Sequence, residues 1–336
     1  MTFTFQRYGP LMPVDRESTC RVIDDAHLTI YQRKAIADRA AAPRFMNYGA
    51  VYDSDGVLVE ESQRRGGLQG DFYIAGDPPV HRAARIAERF DGTWLYAGNW
   101  MGQFGHWLTE TLPNVWPLPH SDVRGIIAHR FAFDSSERSW QRAMLDAAGA
   151  SGLPLHIVND RPVSVQRLLV PSRPVVINGF AAPEAVDVWE RVGATLATPT
   201  THPRVYFSVT DHRTGATVNP TRVFDNQAEA DEVFAAHGFH VVTPEAVSIE
   251  EQISLARGAH VLAGWSGSAL HLSIFAPSTT RVLELGDIRS GSAPVPHQRV
   301  LTAARGQEHG FIPAGQQVQN RRPYDIENLA RVLGSL

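Results

Sequence analysis

The sequence predicts an α/β protein of about two domains with a β-rich start, and three observations carry that prediction. The chain has 336 residues, against roughly 100–200 for one domain. Its 43% apolar and 20% charged residues are the proportions of a soluble globular chain. From about residue 122 onward, short apolar runs alternate with stretches of helical length, the pattern of a parallel sheet flanked by helices.

The elements follow in order. Residues 1–80 read as short β pieces and turns, with a hairpin over 50–59 turning at Asp55-Gly56. A helix is predicted over 78–90, where Arg82, Arg85 and Arg89 share one face, followed by a strand at 94–97 and a loop over 98–105. A helix from His106 up to Pro113, a strand at 123–128, a helix over 136–148 and strands at 155–158 and 168–170 come next. Pro171, Pro174 and Pro183 around Asn178-Gly179 place a domain join near residue 175. The second half alternates regularly: helix 184–196, strand 204–209, polar loop 210–220, helix 228–237, strand 240–242, helix 249–257, strand 261–263, a glycine-serine turn, helix 269–275 and strand 281–285. A final helix covers 325–333, so the expected domains are 1–175, 176–322 and a C-terminal helix at 323–336.

Charge and composition exclude some partners. There are 31 Lys+Arg against 35 Asp+Glu, a net charge of −4, so no basic footprint for nucleic acid exists. Lys34 is the only lysine. We attribute this bias to genome composition, and it makes each single arginine a weak signal. One cysteine, Cys20, excludes an intrachain disulfide and a multi-cysteine metal site. Residues 1–13 lack the basic head and apolar run of a signal peptide. The least charged stretch, 259–277, contains His260, Ser266, Ser268, His271 and Ser273, and reads as strand, turn and helix start rather than a span. A cytoplasmic protein is expected.

Four places could carry chemistry. Ala263-Gly-Trp-Ser-Gly-Ser-Ala269 joins a buried strand to a helix start. There Gly267 lets a ligand approach, while Ser266, Ser268 and free N–H groups suit a diphosphate. His106 and Glu110 stand four apart on one helix face, an imidazole that a carboxylate can orient as a general base. Arg213 and Arg222 flank a polar loop after a strand and could fork onto phosphate oxygens. Asp53-Ser-Asp55 spells a metal-binding Asp-x-Asp but sits where a hairpin needs turn residues, so a turn is expected. Ser266, Asp287 and His297 or His309 also follow the chain order of a hydrolase triad, although position 268 breaks G-x-S-x-G.

Several ordered blocks together resemble glycosyltransferase family 61. They are Gly105-His-Trp-Leu-Thr-Glu-Thr-Leu-Pro113, with Glu110 where the family usually has Asp, and Val205-Tyr-Phe-Ser208 followed by Arg213, Arg222 and Asn226. Phe239-His-Val-Val-Thr-Pro-Glu245, Ser248-Ile-Glu-Glu-Gln252 and 258–277 complete the series. Gln227 replaces a family Glu, and Val209, Ser266 and Leu272 depart from the frequent Arg, His and Asn. The resemblance implies a GT-B architecture of two Rossmann-like domains facing a cleft, with the nucleotide-sugar donor on the C-terminal one. It also implies inverting transfer to a glycan or lipid-linked glycan acceptor, with peripheral contact to the inner membrane as one setting. No essential metal or other cofactor is expected. His106 oriented by Glu110 is the expected base, with Glu110 itself second. Arg213, Arg222, Ser266, Gly267 and Ser268 are the expected diphosphate donors, His271 lies near the phosphates and Glu284 binds ribose. The departures motivate an alternative, a catalytically silent nucleotide- or glycan-binding relative, and the Ser266 hydrolase is the remote one.

Overall fold

The structure is a computed structural model, and it describes residues 3–14, 17–30, 49–65, 72–73, 86–131, 136–210, 224–287, 290–314 and 323–336. The chain divides into an N-terminal unit, Leu11–Val192, and a C-terminal unit made of Met1–Pro10 together with Gly193–Leu336. The first strand, β1 (Gln6–Arg7), therefore belongs to the C-terminal unit.

In the N-terminal unit, β2 (Cys20–Leu28), β3 (Val51–Tyr52), β4 (Glu88–Trp100), β5 (Gly125–Arg130), the helix α1 (Ser139–Leu145), β6 (Leu155–Val158) and β7 (Val163–Pro171) are the main elements. The sheet runs β3-β2-β7-β4-β5-β6. The last four strands are mutually parallel, and β2 and β3 join antiparallel at one edge. The order of the parallel strands reverses beside β4, which lies between β7 and β5. Ile23, Leu28, Tyr96, Ile127, Val165 and Leu168 are among the residues of its core.

β4 corrects two expectations. It takes the end of the predicted helix 78–90 and the start of the predicted loop 98–105 into one strand of 13 residues. The arginine spacing imitated a helix face. In fact Arg89 reaches out to Asp25 at 2.8 Å, while Phe90 turns inward onto Trp94 and His156, the alternation of a strand. Residues 78–85 lie outside the described residues. The strand bends at Gly92, where φ is +80° and the register with β7 shifts between Phe90 and Thr93, a bulge that glycine permits. The hairpin over 50–59 is as predicted: Asp53 Oδ1 accepts the N–H groups of Asp55 and Val57, at 3.1 and 2.8 Å, so this carboxylate serves its own turn.

After β4 the chain winds through an irregular helical stretch. One α turn (Phe104–His106) passes into a π-helical turn (Trp107–Thr111) and then a 3₁₀ turn (Leu112–Val115) that includes Pro113. The widened turn leaves carbonyls that side chains satisfy. Asn114 Nδ2 donates to Glu110 O at 2.6 Å and to Ala97 O at 3.0 Å, and Trp189 Nε1 donates to Leu108 O at 3.0 Å. Gly98 allows Asn114 to come this close, since a Cβ there would lie 2.7 Å from Asn114 Nδ2.

Helix α2 (Pro183–Leu196) spans the division between the units. The C-terminal unit then contains β8 (Arg204–Phe207), α3 (Gln227–Ala236), β9 (His240–Val242), α4 (Ile249–Gly258), β10 (Val261–Trp265), β11 (Arg281–Leu285), α5 (Pro296–Ala304), β12 (Glu308–Ile312) and α6 (Ile326–Leu333). Its sheet runs β1-β12-β11-β10-β8-β9, all parallel except β1. From β9 inward the parallel strands lie in chain order 2-1-3-4-5, a doubly wound arrangement whose direction reverses between β8 and β10. Strands β9 and β11 have the predicted bounds. The predicted helix 269–275 is a 3₁₀ helix, Leu270–Phe275. α5 and β12 were not predicted, and β1 falls in the stretch read as short β pieces without bounds. Tyr206 stacks on Phe234 at 3.7 Å, and Trp265 Nε1 donates to Tyr206 Oη at 2.6 Å in the core beneath.

Candidate active site

In an open parallel sheet, ligands bind beyond the carboxyl ends of the strands where the order reverses. Each unit places one polar cluster there. In the N-terminal unit it forms where β4 leaves the sheet. Glu110, on the π-helical turn, is buried and receives a fork from Arg64, with Nε at 2.5 Å from Oε2 and Nη2 at 3.0 Å from Oε1. His106 Nδ1 stands 2.5 Å from Oε1 of the same carboxylate. The His106 side chain is 43% exposed. Arg64 sits in a two-residue strand, Arg64–Arg65, and its guanidinium lies over the Phe131 ring at 5.2 Å.

Burial alone would raise the pKa of Glu110. The charge of Arg64 and the hydrogen bonds from His106 and Arg64 outweigh it and hold this carboxyl well below the usual carboxylate range. An ionised carboxylate can only accept, so the proton between the two groups is on His106 Nδ1. In the neutral imidazole that tautomer leaves the lone pair on Nε2. A second brace lies next to the cluster, where Arg173 Nη2 donates to Asn99 Oδ1 at 2.9 Å and to Ser62 O at 3.0 Å.

The C-terminal unit places its cluster after β10. Ser266 is 1% exposed and donates to Glu284 Oε1 at 2.5 Å. The same oxygen accepts the Val295 N–H at 3.2 Å. Glu284 Oε2 lies 3.0 Å from His309 Nε2, and both side chains are fully buried. Ser266, Glu284 and His309 are thus brought together, with Ser290 Oγ 3.2 Å from Ser266 Oγ. A nucleophilic serine needs accessibility and an imidazole to take its proton. Here the buried Ser266 hydroxyl gives its proton's hydrogen bond to a carboxylate, which removes the hydrolase wiring.

The turn itself faces outward. Ser268 is exposed, and the N–H groups of Gly267, Ser268 and Ala269 make no hydrogen bond among the described residues, whereas those of Leu270, His271 and Leu272 close the following 3₁₀ turns. Successive free N–H groups of this kind form an anion-binding concavity. His271 stands beside them, half-buried, with Nδ1 2.9 Å from Gln298 Oε1 and its ring edge-on to His297 at 5.2 Å. Arg213 and Arg222 lie outside the described residues.

Sequence reasoning missed Arg64, Arg173 and the Glu284–His309 pair. An Arg-rich chain hides any single arginine, and a contact from residue 64 to 110 leaves no local signal. Among the described residues, no group of three His, Cys, Asp or Glu side chains is placed to hold a metal ion. No helix among them is long and apolar enough to cross a membrane. The model of the family described as Glycosyltransferase 61 matches residues 104–283, more than half of the chain, beginning two residues before His106 and ending one before Glu284. No curated protein matches the chain.

Proposed function

The chain belongs to glycosyltransferase family 61, and we propose that it moves a sugar from a nucleotide-sugar donor to a glycan or lipid-linked glycan, inverting the anomeric carbon and needing no metal. The observation that carries this reading is the His106–Glu110–Arg64 relay, which fixes the tautomer of a half-exposed imidazole. In the proposed step the acceptor hydroxyl oxygen attacks the anomeric carbon as the bond from that carbon to the diphosphate breaks. The hydroxyl proton passes to His106 Nε2, and Glu110 stabilises the imidazolium through Nδ1. Because Glu110 is already engaged by two partners, His106 is the better base of the two.

The departing diphosphate needs fixed donors in place of a cation. The free N–H groups of Gly267, Ser268 and Ala269, the Ser268 hydroxyl, His271, Arg213 and Arg222 are the proposed set; Ser266, expected among them, is excluded because its N–H and hydroxyl are spent on Leu285 O and Glu284. GT-B architecture is part of the proposal, supported by parallel strands with an order reversal in each unit. So is a cytoplasmic setting, with peripheral membrane contact where the acceptor is lipid-linked.

The test is a thermal-shift panel of UDP, GDP, CMP, ADP and dTDP, with magnesium and with chelator, followed by transfer assays on wild type and His106→Ala. A ligand at 100 times its dissociation constant adds roughly 2.7 kcal/mol, so binding is easily read. We expect one nucleotide to bind equally with chelator, and transfer to be lost in His106→Ala while binding stays. Binding only with magnesium would remove metal independence, and unchanged transfer would remove His106. Binding without turnover by wild type would favour the silent relative.

A further inference from the structure

We propose that Gln227 and Asp231 bind a sugar hydroxyl of the donor, either on the ribose or on the transferred sugar; this rests on the donor reading above. Helix α3 lies along β8 so that its residues step past the carboxyl end of that strand. Phe234 stacks on Tyr206. One turn earlier, Asp231 Oδ2 accepts the Ser208 hydroxyl at 2.8 Å, just beyond the strand. Gln227, one further turn back, therefore reaches beyond Ser208 to the mouth of the sheet.

Both residues hold a buried polar atom without a partner. Gln227 is 5% exposed, and among the described residues its Nε2 has no hydrogen bond and Asp231 Oδ1 has none either. An unmade hydrogen bond inside a protein is costly, so such atoms point to something that completes them. One of them is a donor and the other an acceptor, on one helix face four residues apart. A hydroxyl satisfies both, because it gives its proton to the carboxylate and takes the amide N–H on its oxygen.

Position selects which part of the donor this is. β8 pairs directly with β10, Phe207 opposite Gly264, so Ser208, which holds Asp231, follows the strand next to the one that ends in the turn proposed to hold the diphosphate. Ribose and transferred sugar are bonded to the diphosphate, whereas the base lies one ribose further away. Ser208 fixes the carboxylate that would read the hydroxyl.

The experiment uses the full chain as wild type, Gln227→Ala and Asp231→Asn, the latter keeping the shape that meets Ser208. Each is titrated with the nucleoside diphosphate that the panel selects, with its 2′-deoxy analogue and with the matching nucleotide sugar, while melting temperature checks the fold. If the ribose hydroxyl is bound, wild type prefers the ribo form and both variants lose about tenfold or more in affinity for it, along with that preference. If the transferred sugar is bound, the variants keep affinity for the diphosphate and lose a similar factor for the nucleotide sugar. Folded variants that bind all three ligands as wild type does would overturn the assignment while leaving the donor reading intact. So would an equal loss for all three ligands, which marks a structural role. A wild type that binds no nucleotide would overturn both.

Discussion

The two units present the same chemical pair in opposite settings. In each, a glutamate stands beside an imidazole, after the strand in the N-terminal unit and within the last two residues of one in the C-terminal unit. In the N-terminal unit the carboxylate is buried against Arg64 and the imidazole of His106 is 43% exposed. In the C-terminal unit Glu284 and His309 are both 0% exposed; a hydroxyl and a backbone N–H bond one oxygen of the carboxylate, and His309 stands beside the other. The difference teaches what makes such a pair useful. A charge-neutralised acid with its imidazole left at the surface is available to an incoming hydroxyl, and the same pair sealed inside can only brace the strand and loop around it.

The largest expected effect tests the open pair. His106→Ala should lower turnover by about 10²–10⁴-fold with donor affinity unchanged, measured as kcat beside nucleotide binding. An equal fall from a substitution at His309 would erase the contrast. Next, Arg64→Met should leave Glu110 buried without its countercharge and cost about 3–5 kcal/mol, read by urea unfolding. A loss near zero would mean that the carboxylate relaxes into water.

Acid sharpens the comparison a third way. His129 is buried, its Nδ1 2.7 Å from the Tyr96 hydroxyl and its Nε2 2.8 Å from Thr29 O. Burial, only partly offset by the Thr29 carbonyl, pushes its pKa from the usual 6.5 down to about 4. The unfolded chain takes up that proton first, so stability is full above pH 6.5 and falls between 6.5 and about 4, by up to roughly 3 kcal/mol. Six of the seven tryptophans lie between residues 94 and 189, in the N-terminal unit, so indole emission follows the unit that carries this group. A melting temperature flat across that range would remove the effect. The smallest expected change is Glu284→Gln, about 1–3 kcal/mol of stability with nucleotide affinity kept. Loss of affinity without loss of stability would instead make Glu284 a ribose ligand.

How much was legible depended on how local the signal was. The regular alternation from 184 to 285 placed strands β9 and β11 with their observed bounds, because short parallel strands of three to five residues are mostly apolar runs punctuated by turns. His106 and Glu110 were visible as a spacing of four. Their partner Arg64 was not, since it arrives from a two-residue strand and one arginine among thirty carries no mark. The N-terminal half of β4 misled because Glu88, Arg89, Asp91 and Gly92 are exposed or half-exposed on a bent strand, and such residues do not spell β structure. Glu284, at the end of an apolar strand, looked like a ligand group because Ser266, Val295 and His309 converge on it only in three dimensions.

β1 also has a consequence in time. Gln6 pairs with His309 and Arg7 with Glu308, and the rings of Phe3 and Phe5 fill the space that Gly310 leaves open. A ribosome adding about 5–20 residues per second completes β12 roughly 15–60 s after β1. Through that interval the strand is a free edge preceded by two phenylalanines, while the whole N-terminal unit is being made. The exposed Gln6 and Arg7 on the pairing segment suit a strand that must wait unpaired without recruiting the wrong partner.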